Sequence, residues 1–243
     1  MDDDLKGHVA LVTGASRGIG AAIATRLARA SAAVAVNYVQ GAAKAEELAS
    51  KLTRAGGRAA AVQCDVSKAD DVTRMFQRVE AELGPIDILV NNAGIALRRS
   101  IDDLSEDDFD RTIATNLKSA FLCMKAVLPG MRAKGWGRIV NITSGAARGA
   151  GTIGPHYNAS KAGMEGLTRG YAARLAATGI TVNNVAPSLI ETDMMEGQAQ
   201  LVSRIPMGRF GKPEEVAQAV MMLIWNPYMT GQTIAMSGGM AFN

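Results

Sequence analysis

Seven short runs rich in Val, Ile and Ala recur along the chain, with longer helical patterns between them. The runs are almost continuously apolar, as expected for strands of a parallel sheet that helices cover on both faces. This alternation predicts an α/β fold: a doubly wound, parallel seven-stranded sheet, or Rossmann fold. The predicted strands are Val9–Thr13, Val34–Asn37, Ala59–Gln63, Ile86–Asn91, Arg138–Ile142, Thr181–Ala186 and Thr233–Met236.

The chain of 243 residues shows no internal repeat and no Pro/Ser-rich linker, which predicts a single domain over residues 1–243. Three helix starts are recognisable. Ser67 and Ser105 are candidate N-caps, and Pro213 is a candidate first helical residue. The segment Ser188–Lys212 interrupts the alternation, and we expect it to form a mobile flap.

The composition excludes several classes of function. Lys plus Arg number 26 against 23 Asp plus Glu, and the excess is scattered, so no nucleic-acid partner is expected. Cys64 and Cys123 form no CxxC pair and only two histidines are present, so we expect neither a disulfide framework nor a metal site. The sequence has no signal-like N-terminus and no long apolar run, which favours a soluble, cytoplasmic protein with no membrane partner.

A glycine-rich turn, TGASRGIG, follows the first strand and leads directly into a helical pattern. Gly14 would permit the tight turn, Gly18 would let the backbone approach a pyrophosphate, and Gly20 would let the helix pack closely on the strand. The phosphates would lie at the helix N-terminus. A strand-to-helix turn can contain glycines without any ligand, so the interpretation needs other support.

The end of the second strand bears on the choice of coenzyme. Sites that prefer NAD place an Asp or Glu there, whereas this chain has Asn37. Arg17 in the glycine turn could meet a 2′-phosphate with its planar guanidinium, or it could be an ordinary solvated arginine. Together the two residues favour NADP(H).

Small polar residues follow the apolar runs at the points where the strands end. Any one of them could be a turn residue. In open parallel sheets, however, ligands bind outside the carboxyl ends of the strands, so the whole set predicts a binding edge. The set consists of Thr13, Asn37, Asp65, Asn91, Ser144 and Ser188.

The stretch YNASK places Tyr157 and Lys161 four residues apart, on one face of a helix. Shifting a tyrosine pKa from ~10 to neutrality takes ~4 kcal/mol, which an ammonium at ~4 Å could supply at an effective dielectric of about 20. YxxxK also occurs as two exposed side chains. Ser144, or its neighbour Thr143, could donate a hydrogen bond to a substrate carbonyl. Asn116 lies in a helical pattern, where it is either a buried residue with a polar role or an ordinary helix asparagine.

These motifs together resemble the short-chain dehydrogenase/reductase family: TGASRGIG, CDV at 64–66, NNAG at 91–94, Asn116, and Ser144 thirteen residues before the Tyr157 of YNASK. The resemblance implies that Tyr157 is the general acid or base, that Lys161 lowers its pKa, that Ser144 orients the carbonyl and that Asn116 supports a proton relay. The implied catalytic set is Asn116, Ser144, Tyr157 and Lys161. The implied coenzyme-binding set is Gly14, Ser16, Arg17, Gly18, Ile19, Asn37, Asp65, Val66, Asn91, Ala93, Gly94, Tyr157, Lys161, Pro187, Ile190 and Thr192.

Within the family, phrases such as VNY at 36–38, LIETDM and GRFGKPEEVA are most similar to reductases of 3-oxoacyl-[acyl-carrier-protein] thioesters. NADPH, a substrate linked to acyl carrier protein and a homotetramer built on Asp108–Arg132 and Tyr157–Ala177 are the implied properties. Reduction of another small ketone, alcohol or sugar, and a non-catalytic NADP-binding role, are the alternatives. Ser188 departs from the glycine that the family has after Pro187.

Overall fold

The computed structural model describes residues 4–195 and 197–241. Seven parallel strands form one sheet in the order β3-β2-β1-β4-β5-β6-β7, which confirms the predicted fold. The strand order reverses beside β1, which pairs with both β2 and β4, so a crevice opens there at the carboxyl ends of the strands. The strands are β1 (Val9–Val12), β2 (Ala33–Tyr38), β3 (Ala59–Gln63), β4 (Ile88–Asn91), β5 (Gly137–Ile142), β6 (Ile180–Pro187) and β7 (Thr233–Met236).

Helices cover both faces of the sheet. They are α1 (Gly18–Arg29), α2 (Ala42–Arg54), α3 (Ala69–Leu83), α4 (Glu106–Ile113), α5 (Ser119–Lys134), α6 (Pro155–Leu175) and α7 (Pro213–Trp225). Successive strand residues point to opposite faces and are buried on both. Val12 packs with α1 and α7 in one core cluster, and Leu11 packs with α3, α5 and α6 in the other. This two-sided burial explains why the strands lack apolar/polar alternation.

The predicted helix starts have mixed outcomes. The Ser105 hydroxyl accepts a hydrogen bond from the Asp108 N–H at 3.1 Å, and α7 begins at Pro213, so both predictions are confirmed. The prediction for Ser67 is wrong, because Lys68 is the N-cap of α3. The N–H and hydroxyl of Ser67 both donate to one carboxylate oxygen of Asp65, at 3.1 and 2.6 Å, so its side chain is already engaged.

The segment after β6 contains two short helical turns, Asp193–Met195 and Ala199–Arg204. A single parallel bridge from Ile190 to Gly211 closes it at its base. The long helix expected over Asp108–Arg132 is divided by a π-helical turn, Ala114–Lys118. In the described ranges, none of the helices combines the length and apolar character needed to cross a bilayer.

Candidate active site

The glycine turn is packed too closely for side chains. Gly14 and Gly18 have φ values of +61° and +56°, which favour glycine. A Cβ on Gly14 would lie 2.9 Å from Cα of Ala93, and one on Gly20 would lie 2.6 Å from Nδ2 of Asn92. The turn is therefore pressed against the residues that follow β4, and this contact adds to the tight turn and close packing predicted for Gly14 and Gly20.

The N-terminus of α1 is suited to phosphate. Arg17 is its N-cap residue, no side chain of the described residues caps it, and its first turn contains no acid. Its backbone N–H groups are therefore available to an anion, and the helix dipole favours one there. Ile19 packs on the first core cluster, while the Ser16 hydroxyl lies beside Gly41 at the start of α2. These residues fit the diphosphate of a dinucleotide.

Asn37 requires a correction. It is 1% exposed, and its side-chain oxygen accepts a hydrogen bond from the Gly14 N–H at 3.1 Å. Its side-chain nitrogen donates to the carbonyl oxygens of Val62 and Cys64 at 3.3 and 3.2 Å. The strand continues to Tyr38, and the exposed residue beyond it is Val39. Asn37 therefore supports the glycine turn from below and does not face a ribose.

The two asparagines at 91 and 92 have different tasks. Asn91 is 4% exposed and its side chain donates to the side-chain oxygen of Asn141 at 2.8 Å, so its backbone is what remains for the coenzyme contact that the resemblance implies. Asn92, which the sequence analysis missed, donates to the carbonyl oxygens of Thr13 and Gly14 at 2.9 Å. A second asparagine after an apolar strand was the signal that could have identified it.

Asp65 and Val66 lie at the end of β3. Burial tends to raise the pKa of Asp65, but hydrogen bonds from Ser67 and the nearby ammonium of Lys68 outweigh it and lower that pKa. Val66 is 5% exposed and its side chain belongs to the second core cluster, so only its backbone could meet an adenine. Sequence analysis did not distinguish these two kinds of contact.

Gly94 follows Ala93, which packs against Gly14, and lies beside two of the predicted catalytic residues. A Cβ there would lie 3.2 Å from the side-chain oxygen of Asn116 and 3.6 Å from Nζ of Lys161. Asn116 is fully buried in the π-helical turn. Its amide exchanges hydrogen bonds with the backbone of Ile95, accepting at 2.8 Å and donating at 3.0 Å, and also donates to the Ser160 hydroxyl at 3.1 Å. The structure thus brings Asn116 and Lys161 together, as predicted.

Tyr157 and Lys161 are both buried on one face of the first turns of α6, at 9% and 4% exposure. The Lys161 ammonium lies 5.8 Å from the centroid of the Tyr157 ring. It donates to the carbonyl oxygen of Ile142 at 2.8 Å and lies 3.8 Å from the sulfur of Met164. The alternative of two exposed side chains is therefore wrong, and the pair lies at the carboxyl end of β5.

The pKa values of the pair are set by burial. Burial raises the pKa of Tyr157, and a hydrogen bond with Ser144 acts in the opposite direction. Burial lowers the pKa of Lys161 to about 8. The expected lowering of the Tyr157 pKa by Lys161 is not seen, because the ammonium points at the Ile142 carbonyl and desolvation of the phenol dominates.

Ser144 follows β5 in an extended conformation, half-buried, and its hydroxyl accepts from the Ala146 N–H at 3.2 Å. Its competitor Thr143 is 3% exposed and donates to the carbonyl of Val185 at 3.3 Å, which commits it to the sheet. Ser144 is therefore the hydroxyl that faces Tyr157. Ser188 lies close by, because a Cβ on Gly145 would be 2.5 Å from its hydroxyl oxygen.

The residues after β6 close the site. Pro187 is the last residue of β6, and Ile190 is 6% exposed in the first core cluster. The methyl group of Thr192 would lie 3.4 Å from a Cβ on Gly18.

The side chain of Arg17 is already hydrogen-bonded to another side chain. Its Nη1 donates to a carboxylate oxygen of Asp193 at 2.9 Å.

Within the described residues, no three His, Cys, Asp or Glu side chains converge as a metal site would require.

Comparison with known proteins agrees with this geometry. A family model described as enoyl-(acyl carrier protein) reductase matches residues 14–241. A 3-oxoacyl-[acyl-carrier-protein] reductase of Synechocystis is 42% identical over 241 residues, covering 97% of this chain and 98% of the relative. The enzyme of that name from Pseudomonas aeruginosa is 42% identical over 245 residues, covering 97% and 98%.

A solved structure of a dehydrogenase/reductase from Sinorhizobium meliloti superposes with a TM-score of 0.92 at 38% identity, covering 98% of this chain and 97% of that one. The chain therefore belongs to the short-chain dehydrogenase/reductase family of nicotinamide-dependent oxidoreductases.

Proposed function

We propose that the protein reduces the 3-oxo group of an acyl thioester carried by acyl carrier protein, a step of fatty acid biosynthesis, with NADPH as reductant. One observation carries the proposal. Tyr157 and Lys161 are buried together, Tyr157 is hydrogen-bonded to Ser144, and Lys161 lies beside Gly94, whose neighbour Ala93 packs against Gly14 of the phosphate-binding turn. Relatives that are 42% identical over nearly the whole chain carry the name of this activity.

The proposed chemistry adds a hydride to the carbonyl carbon and a proton to the carbonyl oxygen. A bound nicotinamide coenzyme supplies the hydride. Tyr157 donates the proton, and because burial raises the pKa of its hydroxyl, that hydroxyl is fully protonated at neutral pH. Ser144 donates a hydrogen bond to the same oxygen and so stabilises the negative charge that develops there.

Lys161 and Asn116 would support the tyrosine. With a pKa of about 8, Lys161 is mostly charged at pH 7, and we propose that its ammonium turns from the Ile142 carbonyl towards the phenolate left after proton transfer. Asn116 is held by the Ile95 backbone, which fixes the wall of the cleft opposite Lys161. We assign Asn116, Ser144, Tyr157 and Lys161 as the catalytic set.

The proposal of NADP(H) depends on charge. The end of β2 and the residues after it, Asn37 to Gln40, contain no carboxylate for a ribose 2′-hydroxyl, whereas Arg17 is 65% exposed in its side chain at the helix N-terminus. The proposed coenzyme-binding residues are the set predicted above. Within it, Asn91 and Val66 act through their backbone, and Asn37 acts by supporting the glycine turn.

We further propose a single cytoplasmic domain over residues 1–243 that assembles as a homotetramer. The outer face of α6 exposes Gly166, and Gly170 beside it is half-buried, so a second helix could approach closely. Phe121 on α5 is 39% exposed, and we assign it to the same contact. Sedimentation velocity would test the tetramer.

The test of the activity follows NADPH oxidation with acetoacetyl-acyl carrier protein, acetoacetyl-CoA and simple ketones. We expect the thioesters to be turned over fastest. Tyr157→Phe should abolish turnover and leave NADPH binding intact, because only the ionisable hydroxyl is removed. Tyr171→Phe, half-buried further along α6, is the matched control and should remain active. Unchanged turnover by Tyr157→Phe would contradict the proposal.

A second candidate is reduction of a small ketone or oxidation of an alcohol or sugar. Ser188 favours it, because this residue places a hydroxyl beside Gly145 where the family has glycine, and so adds a polar group next to Ser144. Higher kcat/KM for small ketones than for either thioester would select this candidate.

A further inference from the structure

Two contacts join the glycine turn to the segment after β6, directly over the N-terminus of α1. One is the ion pair between Arg17 and Asp193, with an N–O distance of 2.9 Å. The other is the close approach of the Thr192 methyl group to Gly18. Arg17 and Asp193 are 176 residues apart in sequence. The helix end proposed to bind phosphate is therefore bridged by a carboxylate of the chain itself.

The position of Asp193 is unusual for an anion-binding site. The guanidinium of Arg17 is the group proposed to meet the 2′-phosphate, and one of its N–H groups donates to Asp193. A carboxylate and a phosphate need the same donors of an arginine. Both side chains are more than half exposed, at 65% and 55%, so the pair can open without disturbing the core.

We propose that Asp193 is a coenzyme-specificity residue that competes with the 2′-phosphate of NADPH for the guanidinium of Arg17. The inference rests on the proposed use of NADPH. A 2′-phosphate that uses the Nη1 group of Arg17 must displace the carboxylate from it. NADH carries no such phosphate and leaves the pair intact, so Asp193 weakens the binding of NADPH alone.

Asp193→Asn tests the competition, because it keeps the size of the side chain and removes its charge. We expect the dissociation constant for NADPH to fall about two- to fivefold, the range of an exposed ion pair, and that for NADH to stay unchanged. The difference should disappear in about 1 M salt, where exposed charges are screened within about 3 Å. Coenzyme fluorescence titration measures all of these constants.

Three further variants complete the test. Glu191→Gln removes a neighbouring exposed acid for which the described residues show no ion pair, and should leave the NADPH constant nearly unchanged. Arg17→Gln should weaken NADPH binding. In the Arg17→Gln background, Asp193→Asn should have no further effect, since its competition acts through that arginine.

The two proposals fail in different ways. If Arg17→Gln leaves NADPH binding unchanged, the proposed phosphate contact is wrong, and the competition is wrong with it. If Arg17→Gln weakens NADPH binding but Asp193→Asn has no effect, only the competition is wrong. An equal gain for NADPH and NADH, or an equal gain in Glu191→Gln, would also overturn it, because either result indicates a general charge effect.

Discussion

Asn37 and Lys161 lie in the two halves of the same cleft, and both are buried polar side chains near the carboxyl ends of the strands. Asn37, below the glycine turn, accepts one hydrogen bond and donates to neighbouring carbonyl oxygens. Lys161, beside the proposed acid, has one carbonyl oxygen and one sulfur as partners for a full charge. Asn37 has its hydrogen bonds made and supports the turn, whereas the Lys161 ammonium lacks a charged partner and is available for a ligand.

Burying the Lys161 ammonium costs more folding free energy than burying the Asn37 amide. A buried amide with partners on both its atoms costs little, whereas a buried ammonium without a carboxylate loses much of its hydration. No carboxylate of the described residues forms an ion pair with Lys161, and burial lowers its pKa to about 8. The coenzyme half of the cleft is therefore held in place by satisfied hydrogen bonds. The catalytic half contains a buried ammonium, that of Lys161, which lowers the stability of the fold.

The largest effect is expected from Lys161→Met, which removes the charge and keeps an apolar chain of similar length. Turnover should fall by about 10²- to 10⁴-fold, the range for a group that assists proton transfer. The free energy of unfolding should stay equal or rise, because a poorly solvated cation is removed. Steady-state kinetics and urea denaturation measure the two quantities. Lys125→Met, exposed on α5, is the control and should change neither; marked destabilisation by Lys161→Met would contradict the comparison.

The pH dependence of stability tests the same cation. Its pKa is about 8 in the folded chain and 10.5 as its ordinary value, so between these pH values the unfolded chain binds more protons. Stability therefore rises with pH in this window, by about 3 kcal/mol in all, and the cost of the charge is fully present below pH 8. Tyr157, with its pKa raised above 10, opposes the rise only at the upper end.

The measurement is the unfolding free energy of the wild type minus that of Lys161→Met, from pH 7 to 10. Subtraction removes the titration of groups that the two proteins share. A difference that stays flat through this range would show that Lys161 keeps an ordinary pKa.

Asn37→Asp should have a smaller effect and distinguishes the two halves. The carboxylate would face the carbonyl oxygens of Val62 and Cys64 without a donor of its own, so we expect a loss of about 2 kcal/mol in unfolding free energy. NADH should gain no affinity. Val39→Asp, at a site 57% exposed, is the matched control and should leave stability unchanged. Improved NADH binding by Asn37→Asp would show that residue 37 reaches the ribose.

The sequence predicted what depends on local pattern. Strand positions follow from apolar runs, and the glycine turn and the Tyr157–Lys161 pair follow from spacing along one element, so each was placed correctly. The direction of Asn37 was not predictable in the same way, because a strand that is apolar on both faces gives no sign of which face residue 37 takes. Ser67 failed as a cap since Asp65, two residues before it, engages its side chain.

Contacts between distant segments lay beyond sequence reasoning. Asn92 reaches the turn of residues 13 and 14 because β4 lies beside β1, and Arg17 meets Asp193 because the segment after β6 lies over α1. Nothing in the spacing of these residues encodes either pairing. The raised pKa of Tyr157 was not predictable either, because it depends on the desolvation of a buried ring and on an ammonium that points at the Ile142 carbonyl.

The smallest effect on turnover is expected from substitution of Asn158 in the catalytic half, because its side-chain nitrogen already makes both of its hydrogen bonds. The side-chain nitrogen of Asn158 donates to the carbonyl oxygens of Gly149 and Ala150 at 2.8 and 2.7 Å, which fastens the segment after Ser144 to α6. Arg148 in the same segment donates to the buried carboxylate of Glu165 at 3.0 Å and provides a second attachment. Through these two donor bonds we expect Asn158 to act as scaffold, although its buried side-chain oxygen has no partner among the described residues.

Asn158→Ala should therefore lower kcat only about three- to tenfold, the kinetic equivalent of about 1 kcal/mol for one lost attachment of Ser144. The NADPH dissociation constant should not change, since the glycine turn has its own supports. Asn226→Ala, at the end of α7 and away from the cleft, controls for loss of an asparagine. If Asn158→Ala reduced turnover as severely as Lys161→Met, satisfied bonds would not distinguish scaffold from catalyst, because loss of either would then disable the proton-transfer site equally.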